Sequence, residues 1–178
     1  MEYSLLFPGK IFFGPGRSRE LGAAARSLGK RPLVVSGRGS LRQAGHYARL
    51  LDFLRAAGLS PVEHPGIGEE PGPEAVDAAA DTARQEGVDS VIGLGGGSVI
   101  DTAKAAAALA VNAPGVENYL EGVGQGFRLE RNPLPFLAVP TTAGSGAEAT
   151  KNCVITSREK RYKKSFRDDR LVARVIIA

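Results

Sequence analysis

Three consecutive glycines, Gly95 to Gly97, are the part of this chain best suited to binding an anion. The apolar run at residues 91–94 predicts a strand before them, and the segment from Ser98 onward predicts a helix. Residues without Cβ let the backbone bend sharply, and the N–H groups at a helix start attract phosphate. The segment therefore predicts a pyrophosphate cradle over Gly96, Gly97 and Ser98. The alternative is a tight turn in which Ser98 caps the helix.

A second polar segment follows the apolar run at residues 136–139. Residues 140–150 have the sequence PTTAGSGAEAT, which places the hydroxyl groups of Thr141, Thr142 and Ser145 just after a predicted strand. Ligands of open α/β sheets bind at the carboxyl ends of the strands. We therefore expect this segment to lie at the ligand-binding edge of a sheet.

These two segments, GGGSVIDTAKAAA at residues 95–107 and PTTAGSGAEAT, closely resemble the two motifs of the iron-containing alcohol dehydrogenases, in order and in spacing. The GGGSxxDxxK pattern alone is shared with glycerol dehydrogenases and dehydroquinate synthases, and the second motif narrows the resemblance. GKIFFGPG at residues 9–16 and a hairpin near Lys163 extend it over nearly the whole chain. The resemblance implies a dinucleotide cofactor, NADP or NAD, bound by a dehydroquinate synthase-like domain.

The resemblance also implies roles for individual residues. Asp101 would shape the nicotinamide side of the pocket, and Lys163 would lie near a ribose, although Lys164 leaves that register open by one. Contact with the nicotinamide half of the cofactor is implied for Thr141 and Thr142, with help from Ser145. Simpler roles exist: Asp101 in the first helical turn would complement the helix dipole, and Lys163 would be a solvated strand lysine.

The loop after the predicted strand at residues 33–36 departs from the commonest pattern of that family. Ser36 is followed by Gly37, Arg38, Gly39 and Ser40. An aspartate often stands where Gly37 does, and its carboxylate would bind the ribose 2′-hydroxyl of NAD and repel a 2′-phosphate. Because Gly37 removes that repulsion and Arg38 and Ser40 add donors, we predict a preference for NADP. The alternative is that Arg38 points to solvent.

The fold class follows from the alternation of strand and helix patterns. Predicted strands at residues 10–13, 33–36, 90–94 and 134–139 alternate with helices after Ser40 and after Pro73, which is typical of a parallel sheet. We predict a Rossmann-like α/β fold with helices on both faces. Residues 152–156 and 161–166 predict an added β-hairpin. With 178 residues, we expect one dinucleotide-binding domain spanning residues 1–178.

Composition argues against several other classes. The net charge of +4 comes largely from a basic stretch near the end of the chain, but acidic residues interrupt it, so we expect no nucleic-acid partner. The absence of a run of about 18 apolar residues and of a secretory signal predicts a cytoplasmic protein without a membrane partner. Cys153 is expected to be a buried structural thiol. A homo-oligomer stays open.

The sequence offers no metal ligands that we recognise. His46 and His64 lie in unrelated surroundings, and we expect helix-surface or loop positions for both. The resemblance implies a second, helical domain carrying one aspartate and three histidines for Fe²⁺ or Zn²⁺, and none of those positions is present here. We therefore expect no metal site and no catalytic residue in residues 1–178.

The resemblance implies that the intact enzyme transfers hydride between NAD(P) and a small alcohol or aldehyde, whose oxygen the metal polarises. We expect this chain alone to bind cofactor and to turn over little substrate. Two alternatives remain: a fragment of a maleylacetate-reductase-like enzyme, and a stand-alone nucleotide-binding or interaction module. In the latter, the apolar residues 175–178 would be exposed and would pair with another chain.

Overall fold

The alternating pattern of the sequence folds into a parallel sheet with helices on both faces. The computed structural model describes residues 2–68 and 72–178. Its strands are β1 (Lys10–Phe12), β2 (Pro32–Ser36), β3 (Val62–Glu63), β4 (Ser90–Gly95), β5 (Phe136–Pro140), β6 (Asn152–Ser157), β7 (Tyr162–Arg167) and β8 (Val175–Ile177). Its helices are α1 (Leu21–Arg26), α2 (Ser40–Gln43), α3 (His46–Ala56), α4 (Pro73–Gln85) and α5 (Gly97–Leu109).

The main sheet has six strands in the order β1-β8-β5-β4-β2-β3, and every neighbouring pair is parallel. Strands β6 and β7 form a separate antiparallel hairpin. The predicted fold class, including the hairpin, is confirmed. Among the described residues, no helix is long and apolar enough to cross a membrane.

The order of the strands creates a switch point beside β4. From β2 the chain moves to β3 at one edge, and from β4 it moves to β5 in the opposite direction. The carboxyl ends of these central strands are level, because Ser36 pairs with Leu94 and Gly95 pairs with Pro140. A switch point of this kind leaves a crevice beyond the strand ends, where ligands of open α/β sheets bind.

Helix α5 lies at the centre of the packing. Its alanines contact two different neighbours: Ala103 and Ala107 pack in the cluster beneath the sheet, and Ala105 and Ala106 pack in the cluster that contains α4. The opposite face of the sheet is covered by α1 and α3. Small side chains allow this close approach of α5 to both neighbours.

The long helix expected after Ser40 is two helices. Gly45 has a φ of 72°, a left-handed conformation that a right-handed helix cannot contain, so α2 ends before it and α3 starts after it. Tyr47 and Leu54 of α3 are buried, whereas Ala44, between the two helices, is exposed. Helix α1 and the two-residue strand β3 were not predicted.

The apolar run at the end of the chain is a strand inside the sheet. Strand β8 lies between β1 and β5, and Val175, Ile176 and Ile177 are at most 5% exposed. The alternative in which this apolar end is exposed and pairs with another chain is therefore wrong for these residues, because β1 and β5 flank them. Residues Val116–Tyr119 form a 3₁₀ turn.

Gly22 allows α1 to cross closely over α3. A Cβ at this position would lie 2.5 Å from the Phe53 carbonyl oxygen and 2.9 Å from Ala57 Cβ. We predict that Gly22→Ala lowers the free energy of unfolding by about 1–3 kcal/mol, because the helices must move apart. Urea unfolding measures this change, with Gly68→Ala as the control, since no atom lies within 4 Å of a Cβ there. Equal losses in both variants would contradict the close packing.

Candidate functional site

The glycine turn after β4 is built by close approach on both sides. A Cβ on Gly95 would lie 2.5 Å from Val99 Cγ2, and a Cβ on Gly97 would lie 3.0 Å from Ser145 Cβ. Larger residues would push the turn away from α5 and from the segment that follows β5. Gly96 is the N-cap of α5, and Ser98 lies inside the helix. The alternative in which Ser98 is the N-cap is therefore wrong.

The start of α5 presents its backbone to the crevice. The first hydrogen bond of the helix runs from the Ile100 N–H to the Gly96 carbonyl at 3.1 Å. The N–H groups before it, those of Gly97 and Val99 among them, stand at the end of the helix, where the dipole is positive. This end of the helix is suited to a phosphate group, as the sequence predicted.

A pocket of about 640 Å³ lies on the β2 side of the glycine turn, and we call it the Arg38 pocket. Its lining residues are Gly37, Arg38, Gly39, Gln43, Ile67, Gly68, Gly96, Gly97, Ser98, Val99 and Thr142. The Arg38 guanidinium is exposed, and its Nε donates to the Gly66 carbonyl at 2.6 Å. The loop after β2 is held in turn by the pairing of Gly37 with Ile67. Arg38 is thus tethered at the wall of a pocket, while its side chain remains exposed to solvent.

Ser36 lies beneath this loop and not among the residues that line the pocket. It is fully buried, and its Oγ accepts hydrogen bonds from Arg42 Nε at 3.1 Å and Nη2 at 2.9 Å. The Arg42 guanidinium stacks on the Tyr47 ring, 3.9 Å from its centroid. Ser36 therefore fixes Arg42 at the start of the α2–α3 region. The predicted residue Ser40 begins α2, and its side chain lies outside the described part of the structure.

A second pocket, of about 330 Å³, lies on the other side of the glycine turn, and we call it the Asp101 pocket. Its lining residues are Gly97, Ser98, Asp101, Ser145, Ala147, Thr150, Asn152, Val154, Thr156 and Lys163. Gly97 and Ser98 line both pockets. The two cavities therefore meet at the start of α5.

The three predicted hydroxyl residues after β5 do not lie together. Ser145 lines the Asp101 pocket, whereas Thr142 lines the Arg38 pocket beside Gly96. Thr141 lines neither pocket, and its N–H donates to the Gly95 carbonyl at 3.0 Å. The expected grouping of Thr141 and Thr142 with Asp101 is thus not what the structure shows.

The hairpin resolves which of the two adjacent lysines faces the site. Lys163 lies opposite Thr156 in the β6–β7 ladder, and both residues line the Asp101 pocket. Lys164 points to the other side, where its Nζ is 3.8 Å from the position of a Cβ on Gly122. Alternate residues of a strand face opposite sides, so only Lys163 can serve this pocket.

Lys104 is the lysine of the GGGSxxDxxK pattern, to which our sequence analysis assigned no role, and it organises the floor of the Asp101 pocket. Its side chain is fully buried, and its Nζ donates to the carbonyl oxygens of Ala147 at 2.5 Å, Thr150 at 2.8 Å and Asn152 at 2.7 Å. A buried charge is tolerated only with such partners. Lys104 therefore ties the segment after β5, and the start of the hairpin, to α5.

Asp101 lies beyond the first turn of α5, so its expected role as a partner of the helix dipole is wrong. It is 8% exposed and accepts a hydrogen bond from the Val154 N–H, but its Oδ1 has no hydrogen-bond partner. Lys104 Nζ is 4.0 Å from that oxygen. Burial, with a smaller contribution from Glu148, outweighs the attraction of Lys104 and raises the pKa of Asp101 to about 6.

The histidines and the cysteine lie outside both pockets. His46 is exposed at the start of α3, and His64 lies in the loop after β3, so both occupy positions of the expected kinds. The His64 side chain is buried, with its ring nitrogen 3.3 Å from Thr82 Oγ1. Cys153 is fully buried as predicted, and burial raises the pKa of its thiol to about 12. Within residues 2–68 and 72–178, no three His, Cys, Asp or Glu side chains form a group that could hold a metal ion.

A parallel sheet whose crevice carries a glycine turn at a helix start defines a Rossmann-like α/β domain. The chain belongs to the iron-containing alcohol dehydrogenase family, because the family described as "Iron-containing alcohol dehydrogenase" matches residues 8–178.

Its relatives include dehydrogenases with different cofactor names. It is 29% identical over 174 residues to the NAD-dependent methanol dehydrogenase of Bacillus methanolicus, covering 98% of this chain and 45% of the relative. It is 31% identical over 170 residues to the NADPH-dependent butanol dehydrogenase of Clostridium saccharobutylicum, covering 94% and 42%.

Among solved structures, NADH-dependent butanol dehydrogenase A of Thermotoga maritima superposes with a TM-score of 0.90 at 31% identity, covering 99% of this chain and 44% of the other. The chain thus spans less than half the length of these relatives.

The carbonyl cluster around Lys104 yields a stability prediction. We expect Lys104→Met to lower the free energy of unfolding by about 3 kcal/mol, because three carbonyl oxygens lose their buried donor. Lys151→Met is the matched control, since Lys151 is half exposed and its ion pair with Asp169 contributes about 0–1 kcal/mol. Urea unfolding of both variants measures the difference. A loss for Lys104→Met no larger than for the control would refute the assignment.

Proposed function

We propose that this chain is the dinucleotide-binding domain, spanning residues 1–178, of an NAD(P)-dependent alcohol dehydrogenase or aldehyde reductase. The observation that carries the proposal is the junction of two pockets at the start of α5, where Gly97 and Ser98 belong to both. A dinucleotide has two bulky ends joined by a pyrophosphate, and this arrangement provides two cavities joined by an anion-binding helix end. The named activities of the relatives support the same conclusion.

The cofactor would lie in a defined direction across the crevice. In this fold class the strand that leads into the glycine turn has a neighbour whose following loop binds the adenosine ribose. Here the glycine turn follows β4, its neighbour is β2, and the loop in question is the one after β2. The adenosine end therefore belongs in the Arg38 pocket, and the pyrophosphate lies over Gly96, Gly97 and Ser98. The nicotinamide end then belongs in the Asp101 pocket.

The residues present fit such a cofactor. Gly97 is packed so closely against Ser145 that a Cβ would crowd it, so the backbone of the turn is left bare for a ligand. The buried Asp101 Oδ1 lacks a partner and lines the pocket assigned to the nicotinamide end. A buried acceptor without a partner is costly, and a bound donor or cation would satisfy it.

When bound, the cofactor supplies hydride transfer at its nicotinamide ring. The residues of this chain would hold it: the α5 start fixes the pyrophosphate, Lys163 and Ser145 line the nicotinamide end, and Thr142 lines the adenosine side. We assign the substrate class as small alcohols or aldehydes from the names of the relatives. The described residues provide no cluster that fits the iron or zinc of the family resemblance, so we assign them no step that involves a metal.

We further propose that NADP is preferred over NAD. The loop after β2 carries no carboxylate that would repel a 2′-phosphate, because Gly37 stands at the position where an aspartate would act. The Arg38 Nε is tethered to the Gly66 carbonyl, which positions the guanidinium at the pocket wall, and a guanidinium is a strong partner for phosphate. The relatives use both cofactors by name, so this loop is the place where the choice would be made.

The proposal predicts how Arg38→Ala changes cofactor affinity. We expect the variant to bind NADPH about tenfold more weakly, the loss typical of one charge-assisted contact to phosphate, and to bind NADH within about twofold of the original chain. Fluorescence titration of the 178-residue chain measures both affinities. Arg131→Ala is the control, because Arg131 is exposed and lies before the amino end of β5, whereas both pockets lie beyond the carboxyl ends of the strands.

Two results would contradict the preference for NADP. One is an affinity of the original chain for NADH that equals or exceeds its affinity for NADPH. The other is an Arg38→Ala variant that binds NADPH as tightly as the original chain. Failure of both reduced cofactors to bind would contradict the wider proposal.

A further inference from the structure

The Asp101 carboxyl group is buried in the pocket assigned to the nicotinamide end, yet one of its oxygens accepts no hydrogen bond. The residue is 8% exposed, so water screens that oxygen poorly. Its other contact is the N–H of Val154 on β6. A ligand that brings a hydrogen-bond donor or a positive charge would stabilise a buried carboxylate oxygen of this kind.

The charges around Asp101 do not neutralise it. On its own helix, Lys104 Nζ is 4.0 Å from Oδ1, but this ammonium already donates to three backbone carbonyls. From β7, Lys163 attracts the carboxylate, but it is exposed to solvent. From the 3₁₀ turn at Ala147–Ala149, Glu148 repels it, and Glu148 Oε2 is itself buried without a partner.

The remaining neighbour on β6 adds no positive charge. Cys153 is fully buried, and its raised pKa keeps the thiol neutral near pH 7. Among the described residues that line the pocket, Asp101 is the carboxylate, with one oxygen that accepts no hydrogen bond, and Lys163 is the lysine, which is exposed to solvent. Glu148 adds a second negative charge near Asp101. The buried part of the pocket wall therefore presents a negative charge to a ligand.

The two redox states of a nicotinamide cofactor differ in charge. The oxidised ring carries one positive charge, and the reduced ring is neutral, while their sizes are nearly the same. Shape alone cannot separate them, but a fixed negative charge at short range can, because the attraction is strong where water is scarce. A neutral carboxyl group would lose that preference.

We propose that Asp101 is the residue that discriminates oxidised from reduced cofactor, with its ionised carboxylate favouring the oxidised, cationic nicotinamide. This inference rests on the proposed function and deepens it. Asp101 acts as a specificity-determining residue for the redox state, whereas Arg38 acts on the adenosine end.

The proposal has a consequence for pH. Burial raises the pKa of Asp101 to about 6, so its carboxyl is mostly neutral below that pH and mostly ionised above it. Affinity for the oxidised cofactor should therefore rise with pH relative to affinity for the reduced one. By reciprocity, binding of the oxidised form lowers the pKa of Asp101 and releases protons near pH 6.

Calorimetric titration of the chain with NADP⁺ and with NADPH, at pH 5.5 and pH 8.0, tests the proposal. We expect the ratio of the NADP⁺ dissociation constant to the NADPH dissociation constant to fall by about three- to fourfold between the two pH values, because a carboxyl group with a pKa of about 6 is roughly one quarter ionised at pH 5.5 and almost fully ionised at pH 8.0. The 2′-phosphate titrates in both cofactors alike, so its effect cancels in the ratio. Repeating the titration in buffers of different ionisation enthalpy counts the protons released.

The variant Asp101→Asn keeps an oxygen that can accept from the Val154 N–H but never ionises. Its ratio should stay constant within about twofold between the two pH values, as expected when the titrating charge is removed. Asp169→Asn, in which an exposed carboxylate outside both pockets is changed, should retain the original pH dependence. If Asp101→Asn does not fold, the ratio and the proton count of the original chain still test the inference, because it requires both to change with pH.

A ratio that does not change with pH in the original chain would overturn the inference while leaving cofactor binding in place. A pH dependence that persists in Asp101→Asn would overturn it too, because another group would then be responsible. If neither cofactor form binds at either pH, the proposed function fails, and this inference fails with it.

Discussion

The close packing of the glycine turn between β4 and α5 is the constraint on which the rest of the site depends. Gly95 lies against Val99, and Gly97 lies against Ser145, so the segments on both sides of the turn are pressed onto the start of α5. This packing brings the loop after β2 and the segment after β5 to one place, although they are distant in sequence. Because the turn is shared, the two pockets meet at the end of α5, where the helix dipole favours an anion. Any residue with a Cβ at Gly95 would separate these parts.

The charge of the Asp101 pocket follows from the burial of α5. Its fully buried lysine, Lys104, is held by three carbonyl oxygens of the segment that follows β5, and this fixes that segment in place. The same bonds leave Asp101 with a distant counterion and an unpartnered oxygen. Lys104 thus stabilises the pocket wall, and Asp101, one helical turn earlier, gives that wall its negative charge. The Arg38 pocket shows the contrasting arrangement, since the described residues that line it include Arg38 and no carboxylate.

Local pattern was sufficient to predict the sheet class, the glycine turn and the hairpin, because strand and helix periodicity and turn chemistry are local properties. It was not sufficient for Lys104, whose partners are backbone carbonyls 43 to 48 residues away and leave no mark in side-chain type. Nor could it give the position of β8 between β1 and β5, since the neighbours of a strand depend on long-range pairing and not on the apolar pattern of Val175–Ile177. The break at Gly45 was missed because the apolar spacing continues across it, and only the backbone conformation interrupts the helix. The separation of Thr142 from Ser145 depends on the path of the chain after β5, which no periodic signal describes.

The placement of a dinucleotide across the start of α5, with one end in each pocket, is tested most directly by mapping amide chemical-shift changes during an NADPH titration of isotopically labelled protein. Binding across the turn predicts changes at Gly37, at Gly97 and at Val154, because these residues line the two pockets and their junction. Changes confined to one pocket, or to the groove beside Tyr119 and Phe127, would contradict it.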